Sequence, residues 1–198
     1  MTPTKGEQTR RSILRAAIAR FGRDGYRATS VADIARDASV GGTVAYAYFP
    51  SKEALFLAAV DEDAAAVIEE GLVPIADGSV SDWRQALLTT LVEAVERHPL
   101  ARRLLAGLEP DATARVLDIP ALAQLRKATA ERLRAEQLAG SVRADIDPTS
   151  MANGIVAIVL SLLMSVVQIG TEAAAAYADD VVAVFEAAVD RPPRRRTR

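Results

Sequence analysis

Between positions 29 and 52 the chain gathers side chains suited to touching a polyanion rather than to making or breaking bonds. Thr43 can hydrogen-bond a base edge or lay its methyl against a thymine methyl. Tyr46 and Tyr48 can donate their hydroxyls to phosphate oxygens while their rings pack on a domain. Lys52 follows Ser51, a natural helix cap, so it can meet a phosphate with its own charge and with the positive end of a helix dipole. Gly42, Val44 and Ala47 complete the candidate face, where groove-facing groups must be small or hydrogen-bonding. Without that frame, Tyr46, Tyr48 and Phe49 serve equally well as core aromatics. Phe49 suits the core in either case.

Other chemistry is poorly supplied. There is no Cys, and His98 is the single His. Disulfides, thiolate metal sites, Cys nucleophiles and His-pair metal sites are therefore excluded. No phosphate-binding Gly-Lys loop, metal cluster or convincing nucleophile–base pair stands in the sequence. We expect no catalytic residue, no metal, no cofactor and no enzyme. His98 reads as a helix-terminus residue.

The elements that must hold the candidate face are helical. Ala, Leu, Arg, Glu and Gln dominate, and no run shows the alternation of a strand. Ile13, Leu14, Ala17, Ile18 and Phe21 give a helix over about 7–22 one apolar face, with Gly22 and Gly25 at its end. Thr29 or Ser30 caps a second helix over about 30–38, with Asp33 in its first turn and Val31, Ile34, Ala35 and Ala38 inward. Ser39-Val40-Gly41 makes a short turn. A third helix runs over about 42–48 and stops at Phe49-Pro50. Ser51 opens a fourth. Helix, short turn, short helix on a basic segment is the helix-turn-helix outline, whose second helix enters the major groove.

Charge agrees. The net charge is −2 over 198 residues. Yet residues 1–52 hold nine Lys/Arg against four Asp/Glu, and residues 53–190 hold ten against twenty-two. The last eight residues, RPPRRRTR, add five Arg and read as a disordered tail. A basic end on an acidic body implies that one end meets a polyanion. Lys5, Arg10 and Arg11 read as an arm able to reach phosphates or a minor groove. The opening MTPTKGEQTRR has no apolar stretch of secretory type, which predicts a cytoplasmic chain.

The residues Ile13-Leu14-Arg15-Ala16-Ala17, Phe21, Gly25-Tyr26, Thr29 to Ala35, Ala38 and Tyr46 to Phe56 go beyond outline. Over about 7–60 they resemble the DNA-binding domain of TetR-family transcriptional regulators. The resemblance implies an all-α homodimer. It has an N-terminal three-helix helix-turn-helix domain and a C-terminal helical domain for ligand binding and dimerisation. We place these at 1–52 and 53–190, with the tail at 191–198. It implies a repressor of a palindromic double-stranded DNA operator, released by a small-molecule effector. Carried over, Thr29 matches the phosphate-contacting start of the second helix, and Thr43 and Val44 face bases. Tyr46 and Tyr48 match the aromatic pair ending the recognition helix, and Lys52 the phosphate-binding Lys. The departures are Ser39 where the turn usually has Gly, Gly41-Gly42 where the recognition helix usually has a polar cap, and Ala45 for a larger apolar residue. Few side chains then remain for bidentate base contacts, so backbone contacts and DNA shape should carry much of the discrimination.

Beyond residue 53 we expect helices over 79–97, from Leu100 to before Gly107, over 111–117, 120–139 and 173–189, with the Pro/Gly positions of 71–78 between segments. Candidate pocket residues are Trp83, Leu87, Leu105, Leu122, Leu125 and Met164, since effector cavities are mostly apolar. Each serves equally as plain core. The span Met151–Ile169 has nineteen uncharged residues. That length suits a bilayer, and a membrane-attached protein is one alternative. A small-molecule-binding protein without DNA binding is another. Asn153, Gly154, Ser161, Ser165 and Gln168 within the span, with no aromatic belt, favour a buried helix of a dimer interface and no membrane partner. Ala173 to Ala176, Val181, Val184 and Ala188 should allow close approach in a four-helix bundle between subunits.

Overall fold

The path of the chain is set by caps and close approaches more than by helix propensity. The computed structural model describes residues 4–79, 81–113 and 118–190. Its helices are α1 (Lys5–Ala28), α2 (Val31–Asp37), α3 (Gly42–Tyr48), α4 (Lys52–Ala76), α5 (Trp83–Arg97), α6 (Pro99–Leu105), α7 (Pro110–Thr113), α8 (Pro120–Ala139), α9 (Pro148–Ile169) and α10 (Thr171–Val189). No strand occurs among the described residues. One isolated antiparallel bridge joins Val142 and Asp190. The chain is all-α, as its composition predicts. It divides into two compact units, residues 1–67 with 95–120 and residues 68–94 with 121–198.

In the first unit, Thr4 and Glu7 close a reciprocal capping box at the start of α1. Lys5, Arg10 and Arg11 therefore project from a helix, not from an extended arm. The helix also runs past the expected end at residue 22. It kinks at Gly25, whose φ of 82° and ψ of 169° suit glycine alone, and closes at Ala28. Ile13, Leu14, Ala17 and Phe21 are buried. Phe21 meets Phe56 of α4 edge-on at 5.0 Å between ring centroids, and Tyr26 meets Phe56 at 4.9 Å. Gly22 is needed because α6 lies against α1: a Cβ at Gly22 would come within 2.7 Å of the Pro99 Cβ.

The start of α6 is satisfied from α4. Asp63, only 4% exposed, accepts from the Leu100 and Ala101 amides at 2.9 Å each. Pro99 has no amide to satisfy, so this one carboxylate serves the first orphan donors and sits at the positive end of the helix. Its other oxygen lies 2.8 Å from His98 Nδ1. His98 is the N-cap residue of α6, the helix-terminus role its sequence position predicts.

Ser30, not Thr29, caps α2, accepting from the Asp33 amide at 3.1 Å. The end of α2 is a full Schellman turn. The Val40 amide donates to the Ala35 carbonyl at 2.9 Å and the Ser39 amide to the Arg36 carbonyl at 3.0 Å. This turn forces Ser39 to φ 57°, a conformation that costs a residue with a Cβ about 1–2 kcal/mol. Ion pairs brace the outside. Arg20 of α1 grips Asp37 of α2 through two bonds of 2.7 and 3.0 Å. The Arg20 hydrogen bond holds the Asp37 carboxyl below its ordinary value, the Arg23 hydrogen bond does so for Asp24, and the Ser30 hydroxyl for Asp33.

In the second unit, α4 continues through Gly71 and Pro74, which the sequence reading placed between segments. Gly71 is an approach site, not a break: a Cβ there would lie 2.6 Å from Leu91 Cδ2 of α5. Pro74 stands within the last turn of α4 and removes one ladder donor there. Glu136 of α8 gathers three donors, Trp83 Nε1 at 2.7 Å, Arg132 Nε at 3.0 Å and Arg84 Nη2 at 2.9 Å. Helix α9 is long and apolar enough to cross a membrane by length and composition. It nevertheless packs along α10 and buries one stripe, Ala152, Ile155, Val156, Val159, Leu163 and Val166, as a core helix does. Helix α7 ends at Thr113; the expected continuation over 114–117, the basic tail 191–198 and the side chains of Ala173 to Ala176 lie outside the described residues.

Two outcomes are expected of this architecture. Ser39→Gly should relieve the turn and raise stability by about 0.5–1 kcal/mol, read from denaturant unfolding. The carboxyls of Asp37, Asp24 and Asp33 are depressed in the folded state. Their stabilisation is thus present above the ordinary carboxylate value near 4 and lost as pH falls through the lower folded values. Helicity followed by circular dichroism should show the melting temperature falling with acidification below about pH 4, less steeply in Asp37→Asn.

Candidate nucleic-acid interface

Helix α3 has seven residues and buries one of them. Ala45 is 0% exposed; Gly42, Thr43, Val44, Tyr46 and Ala47 all face solvent, Tyr46 at 52%. Tyr48 is half-buried and Phe49 buried. The candidate aromatics therefore divide, with Tyr46 outward and Phe49 in the core. So short a helix cannot hold itself in water, and its position comes from α2 and from Phe49 behind it. Its start has no side-chain cap, because Gly41 occupies that place. A Cβ on Gly42 would meet nothing within 4 Å, so the first turn of α3 is open space. The surface on offer is one Thr hydroxyl, the Val44 methyls, one Tyr hydroxyl and exposed backbone. That suits close approach to a groove.

Around this helix the cations fall into two sets. Arg20, Arg23 and Arg36 are paired with Asp37, Asp24 and Asp33. Lys5, Arg10, Arg11, Arg15, Arg27 and Lys52 make no salt bridge among the described residues, so their charge is not cancelled within the head. Arg10 lies over the Phe49 ring at 5.3 Å and Lys52 Nζ over the Tyr26 ring at 4.3 Å. The rings thus position two cations beside the ends of α3 and the start of α4 while leaving them able to take a phosphate. Ser51 accepts from the Ala54 amide at 3.0 Å, which fixes the N-terminus of α4 under Lys52.

Thr29 is placed differently. Its side chain is 2% exposed and its hydroxyl donates to the Gly25 carbonyl at 2.8 Å. It closes the α1 kink, and the hydroxyl is not on the surface in this structure. The sequence reading missed the tie that holds this kink. Glu109 accepts from the Tyr26 amide at 3.0 Å and from Arg103 Nε at 2.7 Å. No local pattern announces a bond between residues 83 apart in sequence; a glycine at position 25 marks only the kink itself.

The candidate pocket residues fall in both compact units. Trp83, Leu87, Leu122 and Leu125 are buried and Met164 half-buried in the second unit, whereas Leu105 is buried in the first. None of them lines the cavities beside Gly25 and Glu109, beside Glu70 and Thr90, or beside Leu57 and Pro120. No cluster able to hold a metal ion occurs among the described residues.

Comparison with known proteins places this geometry. Residues 13–59, covering most of α1 to the first third of α4, match the family described as bacterial regulatory proteins, tetR family. No curated protein sequence matches significantly. Among solved structures, a TetR-family transcriptional regulator of Mesorhizobium loti is 23% identical, with a TM-score of 0.74 over 96% of this chain and 100% of that one. A TetR-family regulator of Pectobacterium atrosepticum is 23% identical, with a TM-score of 0.71 over 98% and 100%. Thermus thermophilus FadR, a TetR-family repressor solved with lauroyl-CoA, is 23% identical, with a TM-score of 0.65 over 96% and 100%. Residues 13–59 thus match the tetR family of bacterial regulatory proteins, and the fold is shared along nearly the whole chain with solved TetR-family regulators.

Proposed function

We propose that the protein is a homodimeric, cytoplasmic repressor whose two reading heads bind a palindromic operator and are released by a small-molecule effector. The observation that carries the DNA half is the exposed face of α3 ringed by cations with no salt bridge in the head. Thr43 and Val44 read bases, Tyr46 and Tyr48 reach phosphates, Gly42 and Ala47 permit close approach, and Lys52 anchors the backbone. The Thr29 side chain acts by closing the α1–α2 joint. Residues 1–52 form the head and 53–190 the region that binds effector and partner.

The dimer half rests on an uncovered face. Ile158 is 43% exposed and Val184 61% exposed, and Gly154, Ala157, Ser161, Ala183 and Ala187 beside them are small and exposed. A second copy covering this face would complete a four-helix bundle and set two α3 helices about 34–36 Å apart, one turn of duplex. An effector held among the apolar side chains after residue 53, with Trp83, Leu87, Leu105, Leu122, Leu125 and Met164 as candidates, releases DNA only insofar as it prefers an arrangement with mismatched heads. FadR of Thermus thermophilus, solved with lauroyl-CoA, supports the capacity of this fold to hold a ligand.

Selection of duplexes from a random pool tests the reading directly, and failure to enrich any sequence refutes it. On the selected duplex, Lys52→Ala should weaken binding about equally across sequences. It should also flatten the salt dependence by about 0.9 per lost phosphate contact, hence about 1.8 for a symmetric pair. Ile158→Glu should weaken self-association at least about 100-fold by burying an unpaired charge, read by sedimentation.

A further inference from the structure

We propose that Glu109 is a positioning residue for DNA binding, holding the joint between α1 and the helix-turn-helix at one fixed angle from a distance of more than eighty residues in sequence. The proposal rests on α3 being the DNA-reading helix; it adds what aims that helix.

The argument begins at Gly25. Its backbone leaves the helical region at φ 82° and ψ 169°, so the Tyr26 amide no longer points at a carbonyl one turn back. A half-buried amide without a partner is costly, and Glu109 supplies the partner at 3.0 Å. The same oxygen accepts from Arg103 Nε at 2.7 Å, and Arg103 belongs to α6, which packs on α1. The fit is tight: a Cβ on Gly25 would overlap the Arg103 guanidinium and lie 2.8 Å from Glu109 Oε1. The Thr29 hydroxyl ties the other side of the kink to the Gly25 carbonyl at 2.8 Å. Gly25 is thus held from both its faces, and α2 starts at Val31, directly after the joint.

The surroundings make the tie releasable. Tyr26, Gly25, Arg103 and Glu109 line a cavity of about 510 Å³, together with Leu108 and Asp111. On that side Glu109 borders open space and not packed side chains alone. The Tyr26 ring is held by packing on Phe56, and its amide by the Glu109 hydrogen bond. Whatever moves the α6–α7 connection moves the acceptor of the Tyr26 amide, and with it the direction in which α2 and α3 leave α1.

The test uses the full chain with Glu109→Ala and Glu109→Gln. Amide hydrogen exchange is the first readout and needs no operator. In Glu109→Ala, exchange over 26–48 should rise about tenfold or more while 13–21 of α1 and 152–166 of α9 stay as in the wild type. Glu109→Gln, which keeps an acceptor for the amide, should recover most of that protection. On the duplex selected by the wild type, Glu109→Ala should lose about tenfold or more in affinity with an unchanged salt slope, since no phosphate contact is removed. A purely structural role would lower the melting temperature and raise exchange everywhere, and that result overturns the proposal. So does an Ala variant that exchanges and binds as the wild type. If the wild type selects no duplex, the DNA reading fails, while the exchange pattern still decides whether Glu109 fixes the joint.

Discussion

The proposed reading helix, α3, is a seven-residue segment that buries a single methyl group. Isolated helices of that length do not persist in water, and one Ala side chain supplies little docking energy. Everything about the position of α3 is therefore imposed by what surrounds it. The Schellman turn at Ser39 delivers it, Phe49 pins its far end into the core, and α1 and α4 supply the frame through the Phe21, Tyr26 and Phe56 rings. Ala45 is fully buried, so a larger apolar residue there would have to push against the frame. The strain at Ser39 is borne because the two turn hydrogen bonds fix the angle between α2 and α3.

The same economy governs charge. The head has an excess of cations, but its net charge is a poor guide to what it can bind. Arg20 is consumed in bracing α1 against α2, Arg23 and Arg36 in pairs within their own helices, and the acids are drawn into those pairs and caps. What remains for a polyanion is a smaller set in which Lys52 and Arg10 rest on aromatic rings. A ring under a cation restrains the side chain without neutralising it. The ordering cost is thus partly met before DNA arrives, which an opposite charge could not achieve without also removing the attraction.

Much of this was legible in the sequence because the determining forces are local. The periodicity of Ile13, Leu14, Ala17 and Phe21 marks α1, Ser51 caps α4, and Phe49-Pro50 ends α3; each depends on neighbours within a turn or two. The misses share a cause. Gly71 reads as punctuation, but it answers to Leu91 twenty residues away. Thr29 reads as a surface hydroxyl, but the Gly25 kink claims it. Asp63 and Glu109 look like two more acids on solvated faces, and only the folded chain sets them against backbone amides of α6 and of the α1 kink. A glycine or a carboxylate has many local uses, and which one operates is decided by what the fold brings near.

The reading face has a consequence for how discrimination can be achieved. Strong direct readout comes from bidentate side chains, each pair worth about 1–3 kcal/mol against a wrong base. The exposed residues of α3 include no Arg, Lys, Asn, Gln, Asp or Glu. Thr43 and Tyr46 offer single hydroxyls, and Val44 offers methyls suited to thymine. Each half-site contact is therefore modest, and the open space at Gly42 lets the backbone come nearer than a bulkier helix allows. On the proposed reading, specificity leans on fit: on groove width, on the phosphate positions proposed for Lys52, and on repeating a weak half-site at fixed spacing in the proposed dimer. A reader that depends on fit in this way must hold its head rigidly, because an error of angle at the α1–α2 joint cannot be recovered by a long flexible side chain reaching for its base.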